Sequence, residues 1–322
     1  MSGFPGNFAT FQKKPRVTCS LTLTALIGDP VEHSLSDTMF ARYARETRVG
    51  PYAHVKIRIP KSRKDLLGYA IRGLAALGFA GCNVTIPYKT EVAKKVDQLQ
   101  GSAKIITTVN TIKVSGDTLL GFNTDGAGAL RSMDDEARPI ESDDRVVVFG
   151  AGGAARAIVY ELMRKTNHIT IVNRTRLRAI QMAKMLKRVY PLAKPLDLQP
   201  LALVRKDKRI LTRLISNANI IIHATPVGMA PQSGGCILSP NAFAQSDLDG
   251  KIFFDAIYNP LQTVFLKSAQ LAGAHTISGL GMMLHQGREA FRLWTNEIVP
   301  SEALKTTREL LESQIDRTRG RT

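Results

Sequence analysis

The run RVVVFGAGGAARAIVYEL, residues 145–162, constrains the fold of this chain more than any other stretch. An apolar strand breaks into glycines and resumes as a helix-forming segment. Gly150-Ala151-Gly152-Gly153-Ala154-Ala155 fits the spacing GxGxxA. Gly150 permits a tight turn, Gly152 lets backbone approach a pyrophosphate, and Ala155 lets helix and strand pack closely. The helix start then offers free N–H groups and the positive end of its dipole to phosphate. About twenty residues further on, such a site holds the adenosine ribose, and an NAD-preferring one places a carboxylate there. Here HITIVNR leads into Asn173-Arg174-Thr175-Arg176-Leu177-Arg178, with no carboxylate. Arginines and a hydroxyl suit a 2′-phosphate. The chain therefore reads as binding NADP rather than NAD, through Gly150, Ala151, Gly152, Gly153 and Ala154 and through Asn173, Arg174, Thr175 and Arg178.

Strand-like and helix-like segments alternate on both sides of this motif. TLTALIG (22–28), AHVKIRIP (53–60) and GCNVTIP (81–87) read as strands. SDTMFARYARETR (36–48) and KDLLGYAIRGLAAL (64–77) carry helical periodicity, and KTEVAKKVDQL (89–99) reads as a short helix. AKIITTVNTIKV (103–114) and TLLGFN (118–123) frame Ser115-Gly116-Asp117 as a hairpin. After about residue 126 a second run adds the strands HITIVNR, NIIIHAT, KIFFDAI and HTISG, then two closing helices. This alternation predicts an α/β fold, with parallel strands covered by helices on both faces.

Composition excludes several classes. A hydrophobic fraction of 44% without a long polar tract predicts a packed core. Cys19, Cys82 and Cys236 lie far apart without CxxC spacing, which argues against a disulfide framework and a zinc site and suits the cytoplasm. No stretch reaches membrane-spanning length, and the basic, apolar start lacks a cleavage site before its first strand. The formal charge of +17 suits anionic partners. Its densest run, RKDKR at 205–209, has no interleaved aromatics and reads as a solvated helix face, not a nucleic-acid surface.

Three polar clusters stand where apolar strands end. GDPVEHSLS brings Ser34 and Ser36 to a helix start, with Ser36 suited to N-capping, and hydroxyls beside free N–H groups suit a carboxylate. NVTIPYK brings Asn83, Thr85 and Lys89, and VNT with FNTDG brings Asn110, Asn123 and Asp125. This set matches a polyhydroxylated anion. In order, GxPxxHSxS, NVTxPxK, VNT, NTDG, GAGGAA, NRTxxRA, ATPVGM and GLGMxxxQ make the chain resemble the shikimate dehydrogenase family over roughly residues 25–298.

The resemblance implies two α/β domains. A substrate domain would cover 21–126 behind a flexible tail at 1–20. A Rossmann-type NADP domain would cover 127–279, and a helical segment, 280–322, would return to the substrate domain. It implies that Ser34, Ser36 and Tyr258 hold the substrate carboxylate and that Thr85, Asn110, Asp125 and Gln286 hold ring hydroxyls. Asn83, at a strand end, has a structural reading beside that one. Lys89 would transfer the proton, paired with Asp125, while Thr225, Ala256, Gly279 and Met282 would lie at the nicotinamide end. The implied activity is reversible oxidation of shikimate to 3-dehydroshikimate, within chorismate and aromatic amino acid biosynthesis, by a monomer or homodimer. Rival readings are a quinate or dual quinate/shikimate dehydrogenase and a catalytically weak sensor. The chain departs from the family pattern at Asp37, usually proline, which sets a negative charge beside the carboxylate site. It departs again at His223, usually asparagine, which reads as a satisfied core histidine.

Overall fold

The alternating apolar runs assemble into two six-stranded sheets in the computed structural model, which describes residues 21–189, 197–202, 208–239, 242–243 and 248–319. The tail expected over 1–20 lies outside the described residues, as does most of the basic run at 205–209. The first half gives β1 (Thr22–Gly28), α1 (Ser36–Glu46), β2 (Tyr52–Arg58), α2 (Leu67–Ala76), β3 (Gly81–Val84) and α3 (Lys89–Val92). It continues with β4 (Gln98–Leu99), α4 (Ser102–Ile106), β5 (Thr111–Ser115) and β6 (Thr118–Phe122). The second half gives α5 (Asp125–Glu136), β7 (Arg145–Phe149), α6 (Gly153–Leu162), β8 (His168–Asn173), α7 (Arg176–Val189) and β9 (Asp197–Ala202). Then follow α8 (Lys208–Asn217), β10 (Ile220–His223), β11 (Ile252–Asp255), α9 (Val264–Leu271), β12 (His275–Ile277), α10 (Gly279–Thr295) and α11 (Ser301–Arg319).

The second sheet runs β12-β11-β10-β7-β8-β9, all parallel. Its central strands β7, β10 and β11 are mostly apolar and buried because both of their faces are covered. Val146 and Val148 join Ile158, Ala179 and Met182 of α6 and α7 on one side. Val147 and Phe149 join Ile215 of α8 and Phe265 of α9 on the other. The order reverses between β7 and β10, which opens a crevice beyond the carboxyl ends of those two strands.

The first sheet, β2-β1-β3-β5-β6-β4, is mixed. β5 and β6 form the hairpin expected at Ser115-Gly116-Asp117: Ser115 pairs with Thr118, and Gly116 takes φ 63° in the tight turn. Two readings need correction. Residues 102–106 are helical rather than the start of a strand, and Thr107 closes that helix in the left-handed region; short apolar runs do not separate helix from strand by periodicity. The helix read over 89–99 stops at Val92. Asp97 accepts hydrogen bonds from Arg72 and from Leu119 N at 2.7 Å, which draws the chain into β4 beside β6.

The helical segment after β12 returns to the first sheet. Phe291 and Trp294 of α10 and Leu311 of α11 pack with Phe40 and Tyr43 of α1. Trp294 Nε1 donates to Ile112 O at 2.8 Å, passing over Gly81, where a side chain would collide with the indole. Among the described residues no helix is long and apolar enough to cross a membrane, and no acidic, His or Cys cluster suits a metal.

Candidate active site

Lys89 is placed by backbone it cannot leave. Tyr88 anchors the preceding turn by donating its hydroxyl hydrogen to Ile59 O at 2.6 Å, and Lys89 O accepts from Val109 N at 2.8 Å. Lys89 Nζ then donates to Asp125 Oδ2 at 2.6 Å, with the two side chains 18% and 4% exposed. Asp125 is the first residue of α5, and its N–H donates to Asn123 Oδ1 at 3.1 Å. Its other oxygen, Oδ1, accepts from Asn110 Nδ2 at 2.8 Å. Asn110 is itself held: its Oδ1 accepts from Thr124 N at 2.8 Å and from Thr111 Oγ1 at 3.1 Å. Gln286 Oε1 lies 3.2 Å from Asn110 Nδ2, while Gln286 Nε2 donates to Met283 O at 2.9 Å. Four residues distant in sequence thus share one buried network. Thr124, whose hydroxyl lies 2.9 Å from Asn110 Nδ2, belongs to it as well; only its place within NTDG pointed there. Asn83 supports this network from β3, donating to Asn110 O at 3.2 Å and to Thr111 Oγ1 at 3.1 Å.

A second group lies where β1 runs into α1. Ser34 Oγ donates to Ser36 Oγ at 3.1 Å, and the Tyr258 hydroxyl faces Ser34 and the Leu35 backbone. Burial outweighs those contacts and pushes the Tyr258 hydroxyl up. Ser36 is not the N-cap expected of it: Leu35 holds that place, and Ser34 Oγ instead accepts from Ser36 N at 3.3 Å. The Ser36 hydroxyl is therefore not committed to capping. Asp37 forms an ion pair with Lys56 at 3.0 Å, which offsets the negative charge feared beside this group. Thr85 meets β1 at Gly28, where an added Cβ would lie 2.3 Å from the threonine methyl.

The glycine turn sits at the crevice of the second sheet. Gly150 takes φ 126° after β7, and an added Cβ would fall 2.7 Å from Ala224 O after β10. Nothing lies within 4 Å of the equivalent point on Gly152, so its backbone is open to a ligand. Asn173 Nδ2 donates to Thr175 O at 2.9 Å, and Arg174, Thr175 and Arg178 are exposed beside it. Bare backbone, a helix start and cations without an ion pair among the described residues together fit a phosphorylated dinucleotide. His223 is fully buried, with Nδ1 3.0 Å from Asp255 Oδ1 and Nε2 2.5 Å from Thr225 Oγ1. Thr225 is thus tied to the core at the crevice floor. Gly279 packs on the Ala256 carbonyl, and Met282 is buried in the same core as α5 and α6. Gly153 brings both halves together: a Cβ there would lie 3.4 Å from Lys89 Cβ and Cδ. The turn that would cradle pyrophosphate touches the lysine of the first sheet.

Family models match along the chain in this order. The shikimate dehydrogenase substrate binding domain matches residues 26–112, shikimate/quinate 5-dehydrogenase matches 135–234, and the shikimate 5′-dehydrogenase C-terminal domain matches 279–307. The shikimate dehydrogenase (NADP(+)) of Methanocaldococcus jannaschii is 37% identical over 290 residues, which cover 90% of this chain and 96% of that protein. A crystal structure of a shikimate dehydrogenase in complex with NADP+ superposes with a TM-score of 0.78 at 36% identity, covering 90% of this chain and 95% of the other. The Listeria monocytogenes shikimate 5-dehydrogenase, solved with shikimate and NAD, gives 0.77 at 28% identity over 92% of this chain and 99% of that one. With two α/β sheets meeting at a lysine–aspartate pair, and relatives matched over nine-tenths of its length, the chain belongs to the shikimate dehydrogenase family.

Proposed function

We propose that the chain catalyses reversible, NADP-dependent oxidation of the C3 hydroxyl of shikimate to the ketone of 3-dehydroshikimate. The observation that carries this reading is the Lys89–Asp125 pair at 2.6 Å, in contact with the glycine turn of the crevice. The bound nicotinamide supplies the hydride acceptor. Lys89 Nζ, as the free amine, takes the hydroxyl proton as the C–H bond gives up its hydride, and in reduction it returns that proton. Asp125 holds the resulting ammonium, and Asn110 keeps the carboxylate turned toward it. Ser34, Ser36 and Tyr258 bind the ring carboxylate, while Thr85, Asn110, Asp125 and Gln286 orient the hydroxyls. The arginines after β8 favour NADP over NAD, and so shikimate over quinate.

Initial rates with shikimate and quinate, each with NADP+ and NAD+, test this for the parent and for Lys89→Ala. The parent turns over shikimate with NADP+ fastest. Lys89→Ala lowers turnover by roughly 10²–10⁴-fold, while its circular dichroism shows that it remains folded. A parent inactive on all four pairs ends the enzyme reading, and full turnover in Lys89→Ala ends the role given to that lysine.

A further inference from the structure

Among the described residues Arg156 has no counter-ion. It stands on the first turn of α6, just past the glycine turn, with its N–H bonded to Gly152 O at 3.0 Å. Its Nε is buried and has no hydrogen-bond partner. Among the described residues no carboxylate pairs with it or with Arg174, Arg176 or Arg178, whereas Lys89, which lies against the glycine turn, has Asp125. α6 and α7 lie side by side on one face of the second sheet, sharing Ala155, Ile158, Ala179 and Met182 in one core. Their first turns therefore open together beyond β7 and β8. Burial, and then the charge of Arg178, push the Arg156 guanidinium below its usual value. Two like charges are held close at the mouth of the crevice without an anion between them. Leaving a partly buried cation unpaired is unfavourable where no ligand supplies the counter-charge.

We propose that Arg156 is a cofactor-selecting residue that closes, with Arg178, on the 2′-phosphate of NADP. The assignment rests on the NADP reading above and adds a residue that the β8 arginines do not include. A dianion at that point supplies what the arrangement lacks: an acceptor for the orphaned Nε–H and a counter-charge shared by two cations. The planar fork of arginine suits phosphate, whereas lysine offers a point charge. The same geometry explains why the residue escapes a sequence reading: a lone arginine on a helix looks like solvated charge.

Isothermal titration of the folded, full-length protein tests this with four probes: NADP+, NAD+, adenosine 2′,5′-bisphosphate and adenosine 5′-monophosphate. Arg156→Gln is expected to weaken NADP+ and the bisphosphate by about tenfold or more, the size of one charge-assisted hydrogen bond. NAD+ and the monophosphate should stay within about twofold on the same reasoning. Arg156→Lys should fall between parent and Arg156→Gln. Without ligand, Arg156→Gln should melt no lower than the parent, because a repulsion has been removed. Equal losses for NADP+ and NAD+ would put Arg156 on the pyrophosphate and overturn the proposal, as would unchanged NADP+ binding in a variant of a parent that prefers NADP+. A parent that binds both dinucleotides equally overturns the NADP reading itself, which separates the two failures.

Discussion

At the scale of single residues, His54 makes the fold sensitive to acid. Its Nδ1 lies 2.8 Å from Thr24 Oγ1, its Nε2 is buried without a partner, and its ring packs on Phe40. Burial, against the opposing pull of Asp37, lowers its pKa to about 3 from the ordinary 6.5. Between those values the unfolded chain binds a proton that the folded chain refuses. Stability due to this group is therefore complete above about pH 6.5 and is lost as pH falls toward 3, with a slope of up to about 1.4 kcal/mol per pH unit. Urea unfolding across that range should show the slope in the parent and a shallower one in His54→Phe, whose ring keeps the aromatic packing. Thr24 would still have Tyr52, 2.7 Å away. Equal slopes would remove His54 from the account. None of this is legible in the sequence, where His54 is one polar residue in an alternating strand. Lys89 was legible because its motif ends a strand and a second motif supplies its aspartate. Arg156 was not, because the absence of a partner appears only in three dimensions.

At the scale of elements, α5 connects the chemistry to both sheets. Gly126 lets it approach α6, where a Cβ would lie 2.2 Å from Ala157 O, and Gly128 lets it approach α10, with Gln286 N at 2.8 Å. Gly73, in α2, faces open space. The same substitution should therefore act in opposite directions. Gly73→Ala should stabilise by about 0.4–1 kcal/mol through the unfolded chain. Gly128→Ala should destabilise by roughly 1–3 kcal/mol, because packed backbone must move. Its Michaelis constant for shikimate should also rise as Gln286 is displaced. Paired denaturation curves and initial rates check both, and a stabilised Gly128→Ala would show that α10 yields freely. The parallel strands and the hairpin could be read from periodicity and turn chemistry. The short helix α4 and the early end of α3 could not, because long-range bonds from Asp97 and a left-handed Thr107 decide them.

At the scale of the whole molecule, the formal charge of +17 has the sign to attract anionic ligands such as NADP+ and a ring carboxylate. Charge of one sign raises the encounter rate of oppositely charged ligands, and salt screens it, the Debye length shrinking from about 10 Å at 0.1 M to about 3 Å at 1 M. The ratio kcat/KM for NADP+ should therefore fall steadily with sodium chloride, and more steeply than for NAD+, which lacks the 2′-phosphate. Parallel salt profiles would mean that the excess charge has no part in cofactor capture. The way α5 is gripped also bears on what the molecule can become. Asp125 heads a helix whose neighbours leave no room for a methyl group at Gly126 or Gly128. Ser34, by contrast, is half-buried between β1 and α1, and its hydroxyl bonds to the neighbouring Ser36 rather than to the packed helices. If Ser34 reads the ring acid as proposed, descendants of this chain can therefore explore new acids by substitution at that serine, while the lysine and its aspartate are open to loss but closed to gradual revision.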